Sequence, residues 1–373
     1  MRNILVVGYG AIGAVYAHVF KRSGLARVTV VARSNYQICQ DQGMHIQSRR
    51  YGDIKGWRPD RCNVLTAADQ QYDYVVLTTK CVPEVVKTSK ILEPIITEPY
   101  LSKFKQPTYL ILQNGLNVED ELYHTLKAAG QEPSIIGSCV YIGTNLVAPN
   151  VVSHGEGDRP TIGIYRYRDF TTTINTPEED ALVGDMYNIL KQGGSEVTMV
   201  PEIQRRKFMK NFWNLAFASL ATLTGYRLPA IFRDPPTDPA VPYEPYRFPK
   251  TAHLIDEHTI PALRATLQEL LICQGRAMGF PDTEEGLPSE HADRTITNTA
   301  KLHTAPDSNH TPSMALDAQK GNPFEVEVIV GEVVRLAKEY KVEVPRVEML
   351  YALLLVRQNQ ILRENFQRTS GSS

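Results

Sequence analysis

Much that would mark a specialised chain is missing from these 373 residues. The five cysteines, Cys39, Cys62, Cys81, Cys139 and Cys273, form no CxxC pair and sit at no zinc spacing with histidine. An odd, scattered set reads as free thiols in a reducing compartment and excludes a disulfide framework. There is no HExxH motif, and no histidine lies in a pattern that suggests a nucleophilic triad. Charge of one sign is also lacking: 40 Lys+Arg face 41 Asp+Glu, a formal net charge of −1. That balance excludes the basic excess of a general nucleic-acid binder. No apolar run approaches the ~20 residues that span a bilayer. The opening Met1-Arg2-Asn3-Ile4-Leu5-Val6-Val7-Gly8 has no charged leader region and no cleavage site. The expectation is a soluble, cytoplasmic protein with neither nucleic-acid nor membrane partners. Internal repeats and heptads are absent as well.

What is present is ordinary globular usage, 42% hydrophobic and 22% charged, in a chain long enough for about two domains. The first half alternates strand and helix patterns. Strands are expected at Asn3–Val7, Arg27–Ala32, Asp73–Thr79, Thr108–Leu112 and Ser134–Tyr141, with helices at Ala11–Ser23 and Val82–Leu92. Apolar strands separated by helices predict an α/β domain with a parallel, doubly wound Rossmann-like sheet. From about Pro201 the spacing turns helical, with helices expected at Phe208–Leu223, Ile260–Met278, Val326–Tyr340 and Glu348–Asn365. In the last of these Leu350, Leu353, Leu354 and Ile361 are expected to face inward. The division is set at 1–195 and 196–373, an α/β domain followed by an all-α domain. Two stretches interrupt the helical half: a proline-rich excursion at 229–249, holding Pro229, Pro235, Pro236, Pro239, Pro242, Pro245 and Pro249, and a polar, loop-like segment at 281–312. The tail from Thr369 to Ser373 is expected to be disordered.

Gly8-Tyr9-Gly10-Ala11-Ile12-Gly13 is a GxGxxG motif that follows a strand and opens a helix. In that context Gly8 permits the turn, Gly10 lets a pyrophosphate approach the backbone, and Gly13 lets helix and strand pack closely. The helix N-terminus offers N–H donors to phosphate. The second strand ends in Arg33-Ser34-Asn35, with no acid to hold a ribose 2′-hydroxyl. A guanidinium pairs with a 2′-phosphate, so the expected cofactor is NADP(H). Lys80 and Asn114, in Thr79-Lys80 and Gln113-Asn114-Gly115, close two further strands at the ends that surround a ligand crevice. Each also has a plain reading, as a solvated lysine and as an Asn-Gly turn.

In the helical half, Lys210 and Asn214 share a helix face at i, i+4 spacing beside an apolar run. A lysine in such surroundings is desolvated toward a useful acid, or else snorkels to solvent. Ser313 follows in Pro312-Ser313-Met314. Glu325 closes Asn322-Pro323-Phe324-Glu325, which reads as an N-cap, a first-turn proline and the third position of a capping box.

Taken in order and spacing, Gly8-x-Gly10-x-x-Gly13, Arg33, Thr79-Lys80, Gln113-Asn114-Gly115, Lys210-x-x-x-Asn214, Pro312-Ser313-Met314 and Glu325 resemble the ketopantoate reductase (2-dehydropantoate 2-reductase) family over nearly the whole chain. The resemblance implies a Rossmann domain followed by a helical domain, and NADPH-dependent reduction of a 2-oxo acid in pantothenate biosynthesis. It implies Lys210 as proton donor and Asn214 and Ser313 as substrate ligands, with Glu325 near cofactor and lysine. Family members often carry a second asparagine eight residues after the lysine, where this chain has Ala218. They also carry one before the closing glycine, where it has Val330. Three readings follow: reduction of 2-dehydropantoate, reduction of another carbonyl compound in specialised metabolism, or an NADP(H)-binding sensor without turnover. A homodimer is compatible with each.

Overall fold

The structure is a computed structural model that describes residues 1–63, 69–238, 240 and 242–370. Pro239 and the last three residues of the expected tail lie outside the described residues. The chain forms two compact units, Met1–Arg206 and Lys207–Ser373. Residues 196–206, expected with the helical half, belong to the first unit. There Thr198–Met199 pairs with a strand of the sheet, and Ile203 packs on Gly137.

The first unit is built on strands β1 (Arg2–Val7), β2 (Ala26–Val31), β3 (Met44–Ser48), β4 (Gly52–Trp57), β5 (Arg61–Asn63), β6 (Tyr74–Leu77), β7 (Thr108–Ile111), β8 (Ile135–Ala148), β9 (Val151–Ile164) and β10 (Thr198–Met199). Their order is β4-β3-β9-β8-β7-β6-β1-β2-β5, with β10 also on β9. The segment β8-β7-β6-β1-β2-β5 is parallel throughout. Ile4 to Val7, and all of β6 and β7, are buried residue after residue, the signature of strands covered on both faces. The helices are α1 (Ala11–Arg22), α2 (Tyr36–Gln42), α3 (Thr88–Ile96), α4 (Tyr100–Lys103), α5 (Asp120–Ala128) and α6 (Pro177–Gln192). Helix α6 opens on a complete capping box between Thr176 and Glu179.

The parallel order is the expected one, and two details differ. Antiparallel pairs join the parallel sheet at one end: β8 and β9 form a hairpin of two 14-residue strands, and β3–β4 a second one. Strand β8 is fully buried through Val140 and then alternates, because beyond that point it leaves the core as a hairpin arm. The expected helix at Val82–Leu92 starts instead at Thr88. Lys87 is extended, and the Glu121 carboxylate accepts the Ser89 N–H at 2.9 Å, so the helix start is fixed from a distant element.

One buried carboxylate ties this unit together. Asp158 of β9 has no exposed surface and accepts hydroxyls from Tyr16 of α1 (2.7 Å), Tyr51 after β3 (2.6 Å) and Ser195. Beside it, His18 packs edge-on against Tyr51 and Trp57, and neither ring nitrogen has a hydrogen-bond partner.

The second unit is helical: α7 (Gln204–Trp213, which begins in the first unit), α8 (Ser219–Thr224), α9 (Pro229–Phe232), α10 (Ala252–Leu254), α11 (Ile260–Leu270), α12 (His291–His303), α13 (Ser313–Gln319), α14 (Glu332–Tyr340) and α15 (Pro345–Ser370). Among the described residues, four π-helical turns interrupt it, at Asn214–Ala218, Ile255–Thr259, Leu271–Arg276 and Glu327–Gly331. The segment at 281–312 is not a loop throughout, since α12 occupies its centre. Its inward positions Ala292, Ile296, Thr299 and His303 are half polar, which hides the helical period. Helix α15 runs to Ser370, through residues expected to be disordered, and Leu353 faces solvent rather than the core.

Burial, with a smaller contribution from Arg22, pushes the His18 imidazole down to about 4. The unfolded chain therefore binds a proton that the folded chain refuses between about pH 6.5 and 4, and stability falls as pH drops through that window. The expected loss is on the order of 2 kcal/mol. Urea melts from pH 7 to pH 4 should show a steeper acid decline in the wild type than in His18→Phe.

Candidate active site

In the first unit the candidate residues gather at the carboxyl ends of β1, β2, β6 and β7, which are neighbours in the sheet. The chain runs from β1 to β2 on one side and later returns to β6 on the other, so the crevice opens at a switch in strand order. Gly8 adopts φ +104°, which a side chain would strain. Thr78, at the end of β6, donates its hydroxyl to the Gly8 carbonyl at 2.7 Å. A Cβ on Gly13 would stand 1.9 Å from that same carbonyl oxygen and 2.7 Å from Thr78 Oγ1. A Cβ on Gly10 would meet nothing within 4 Å. The loop is thus sealed on the sheet side and open on the ligand side, the shape that admits a pyrophosphate at the N-terminus of α1.

Tyr9, Ala11 and Ile12 present backbone rather than side chains. Tyr9 is buried in the core, and Ala11 and Ile12 pack against it. Arg33 and Lys80 are exposed at the ends of β2 and β6, and Asn114 is half-buried after β7. Two residues passed over in the sequence hold this arrangement. Asn35, buried, donates to the Tyr9 carbonyl at 2.8 Å and to the Pro149 carbonyl at 3.1 Å, tying the turn after β2 to the glycine loop and the β8–β9 hairpin. Gln113, also buried, donates to the Thr79 carbonyl and hydroxyl, both at 3.0 Å, joining the ends of β6 and β7. The only sequence signal for either is an amide next to a motif residue.

In the second unit, Lys210 lies in the last turn of α7, and Asn214 opens the π-helical turn that follows. Both are half-buried. That turn packs against α13, whose first residue is the exposed Ser313, and against the π-helical turn at Glu327–Gly331, which Glu325 precedes. Asn211 of α7 donates to the Ile329 carbonyl at 2.9 Å, pinning the two π-helical segments together. The segments that carry Ser313 and Glu325 therefore each meet the helix that carries Lys210 and Asn214.

The capping-box reading of Glu325 does not hold. The helix begins at Val326, so Asn322 is no N-cap and Glu325 does not occupy the third helical position. Phe324 is held instead by Gln358 of α15, which donates to its carbonyl at 3.0 Å and accepts from its N–H at 3.1 Å. The amide pair substitutes for a local cap and leaves Glu325 as a carboxylate only 3% exposed. Among the described residues, no cluster of His, Cys, Asp or Glu could hold a metal ion, and no helix is long and apolar enough to cross a membrane.

The two glycines separate fold from ligand space. Gly13→Ala forces backbone and Thr78 apart and should cost about 1–3 kcal/mol. Gly10→Ala, at φ −82° and in open space, should melt within a degree or two of wild type in a thermal scan. Equal melting temperatures for the two variants would contradict the close contact at Gly13.

The family profile described as "Ketopantoate reductase PanE/ApbA" matches residues 4–167, and its C-terminal counterpart matches residues 250–358. An uncharacterized protein of Saccharomyces cerevisiae is 25% identical over 372 residues, covering 97% of this chain and 95% of its own. A 2-dehydropantoate 2-reductase of Nostoc is 21% identical, over 94% of this chain and 93% of its own. Among solved structures, a 2-dehydropantoate 2-reductase from Methylococcus capsulatus superposes with a TM-score of 0.71 at 24% identity, over 96% of this chain and 97% of that one. A D-mandelate dehydrogenase in ternary complex with NADH and anilino(oxo)acetate does so with a TM-score of 0.71 at 18% identity, over 96% and 99%. With both profiles matched in order, and a relative of that name aligned along nearly the full chain, the protein belongs to the ketopantoate reductase family.

Proposed function

We propose that the chain is an NADPH-dependent reductase of a 2-oxo acid, the class that includes 2-dehydropantoate, and that it releases the 2-hydroxy acid. The observation that carries this reading is the packing of the Lys210–Asn214 segment against the segments bearing Ser313 and Glu325. A sensor that only bound dinucleotide would need the glycine loop and no such cluster. Relatives of the same family named as 2-dehydropantoate 2-reductases, and a fold neighbour solved with NADH, support the reaction class.

The glycine loop fits a dinucleotide, because Gly10 leaves room and the N-terminus of α1 directs N–H groups at the vacated space. The reduced nicotinamide supplies a hydride for the ketone carbon. Arg33, exposed where an acid would select NAD, pairs with the 2′-phosphate. Asn214 and Ser313 donate hydrogen bonds to the substrate carboxylate and fix the ketone's orientation. The Lys210 ammonium gives its proton to the ketone oxygen as the charge develops there. Glu325, a buried carboxylate on an adjoining segment, favours the protonated lysine.

The deciding experiment is NADPH oxidation, followed at the nicotinamide absorbance, with a panel of 2-oxo acids. Arg33→Ala should weaken NADPH binding more than NADH binding. Wild-type affinity equal for the two cofactors would sink the assignment to NADP(H).

Lys210→Ala should lower kcat by about 10²–10⁴-fold with cofactor binding intact. Glu325→Gln should keep its melting temperature, lose kcat/KM, and move the basic limb of the pH–rate profile to lower pH, because loss of the carboxylate destabilises the ammonium. A Glu325→Gln enzyme with wild-type rate and an unmoved profile would make the residue structural.

A further inference from the structure

Five rings form a row through the second unit. Phe232 of α9 lies 6.1 Å from Phe217, Phe217 lies 6.2 Å from Trp213, Trp213 lies 5.8 Å from His310, and His310 lies 6.2 Å from His303. These centroid separations fall in the range of tilted aromatic contacts. Phe217, Phe232 and His303 are buried, whereas Trp213 is half-exposed and His310 is exposed. The row therefore surfaces at Trp213 and His310.

The place where it surfaces is specific. Trp213 stands one helical turn from Lys210 and immediately before Asn214. His310 stands three residues before Ser313. The Trp213–His310 contact thus joins the segment that carries the proposed proton donor to the segment that carries the proposed hydroxyl ligand.

The segment behind the pair is held by guanidinium hydrogen bonds. Arg233, 2% exposed, donates to the carbonyls of Ala305 (3.1 Å), Pro306 (2.9 Å) and Ser308 (3.4 Å) on the segment before His310. The same guanidinium donates to the Pro245 carbonyl at 2.9 Å and stacks on Tyr243, 4.5 Å from the ring centroid. Arg227 adds bonds to the carbonyls of Asn309 (3.3 Å) and Glu244 (2.8 Å). The proline-rich excursion is in this way laced to the segment that presents His310. Desolvation by the surrounding protein pushes the His303 imidazole down to about 4 and also lowers that of His310, and both shifts favour the neutral ring. Neutral rings suit an apolar group better than an anion.

Resting on the reading of the chain as a 2-oxo acid reductase, we infer that Trp213 and His310 form the subsite for the substrate side chain and that it accepts a planar aromatic group in preference to a compact branched one. Arg233 is a positioning residue for that subsite, acting through the 305–308 segment.

The test has two arms. In the first, NADPH oxidation is measured with phenylglyoxylate and with a branched aliphatic 2-oxo acid. The wild type should favour the aromatic acid in kcat/KM, and Trp213→Val and His310→Ser should each reduce that preference about tenfold. Arg233→Met should raise KM for the aromatic acid more than it lowers kcat. In the second arm, the fluorescence of Trp213 is followed in a Trp57→Phe background, which leaves it the sole tryptophan. Mandelate should quench it, and a branched aliphatic 2-hydroxy acid should not. Quenching by mandelate without oxidation of NADPH by any 2-oxo acid would overturn the reductase reading and uphold the subsite. Oxidation of NADPH with an unaltered preference in Trp213→Val and His310→Ser, and no quenching, would overturn the subsite and uphold the reductase.

Discussion

The contact on which the first unit's ligand-binding end depends is the one between Gly13 and the Gly8 carbonyl. A single methyl group would close it, since a Cβ at Gly13 falls 1.9 Å from that oxygen. With hydrogen there instead, α1 starts directly over the end of β1, and Thr78 reaches across from β6 to bond the same carbonyl. Three elements meet through one oxygen atom. The left-handed φ of Gly8 is the conformational consequence, and the open space beside Gly10 is the functional one. Asn35 and Gln113 then extend the arrangement sideways, to the ends of β2 and β7. Amide hydrogen bonds hold the loops from below, and Arg33 and Lys80 stand exposed at the ends of β2 and β6.

The second unit solves a comparable problem with helices. A regular α-helix through residues 204–224 would keep one strict period, and the π-helical turn at Asn214–Ala218 shifts it by one residue. A second such turn, Glu327–Gly331, lies against the first. Widened turns of this kind recur at functional sites because they redirect side chains without ending the helix. The Asn211–Ile329 bond fixes one against the other, so the positions of Asn214 and of the segment after Glu325 depend on the same joint.

What the sequence disclosed, and what it hid, divides along physical lines. The glycine loop was legible because its requirement is local: three positions where a side chain does not fit, between a buried strand and a helix. The central strands were legible because burial on both faces leaves an unbroken apolar run, as in β6 and β7. The hairpin arms of β8 and β9 were not, since outside the core their alternation is diluted by Thr, Asn and Ser. Helix α12 was hidden because two of its four buried positions are Thr299 and His303. The cap at Glu325 was misread for a related reason. Asn-Pro-x-Glu is a sound local start signal, yet the amide of Gln358, 34 residues away in sequence from Phe324, takes over the capping bonds. The role of Gln358 is itself invisible locally: it occupies an inward position of α15 between Leu354 and Ile361, where an apolar residue would be expected, while the apolar Leu353 faces solvent.

The same division of labour explains the two interruptions of the helical half. Proline cannot donate backbone hydrogen bonds, so a proline-rich excursion leaves carbonyls that helices would otherwise use. Arg233 and Arg227 are the donors that satisfy them, and a guanidinium has enough N–H groups to serve two segments at once. The excursion and the 305–309 segment therefore stabilise each other rather than relying on regular structure. Burying Arg233 under such a set of carbonyls, with Tyr243 over its face, desolvates the charge and lowers its pKa, a cost that the bonds themselves offset. A joint of this type is sensitive to its central residue but tolerant of sequence change along both strands it links, because it is made almost entirely to backbone. Lys210 and Asn214 are carried by a packed helix, whereas His310 is carried by a segment laced through backbone carbonyls, so sequence along that segment can vary while the positions of Lys210 and Asn214 stay fixed.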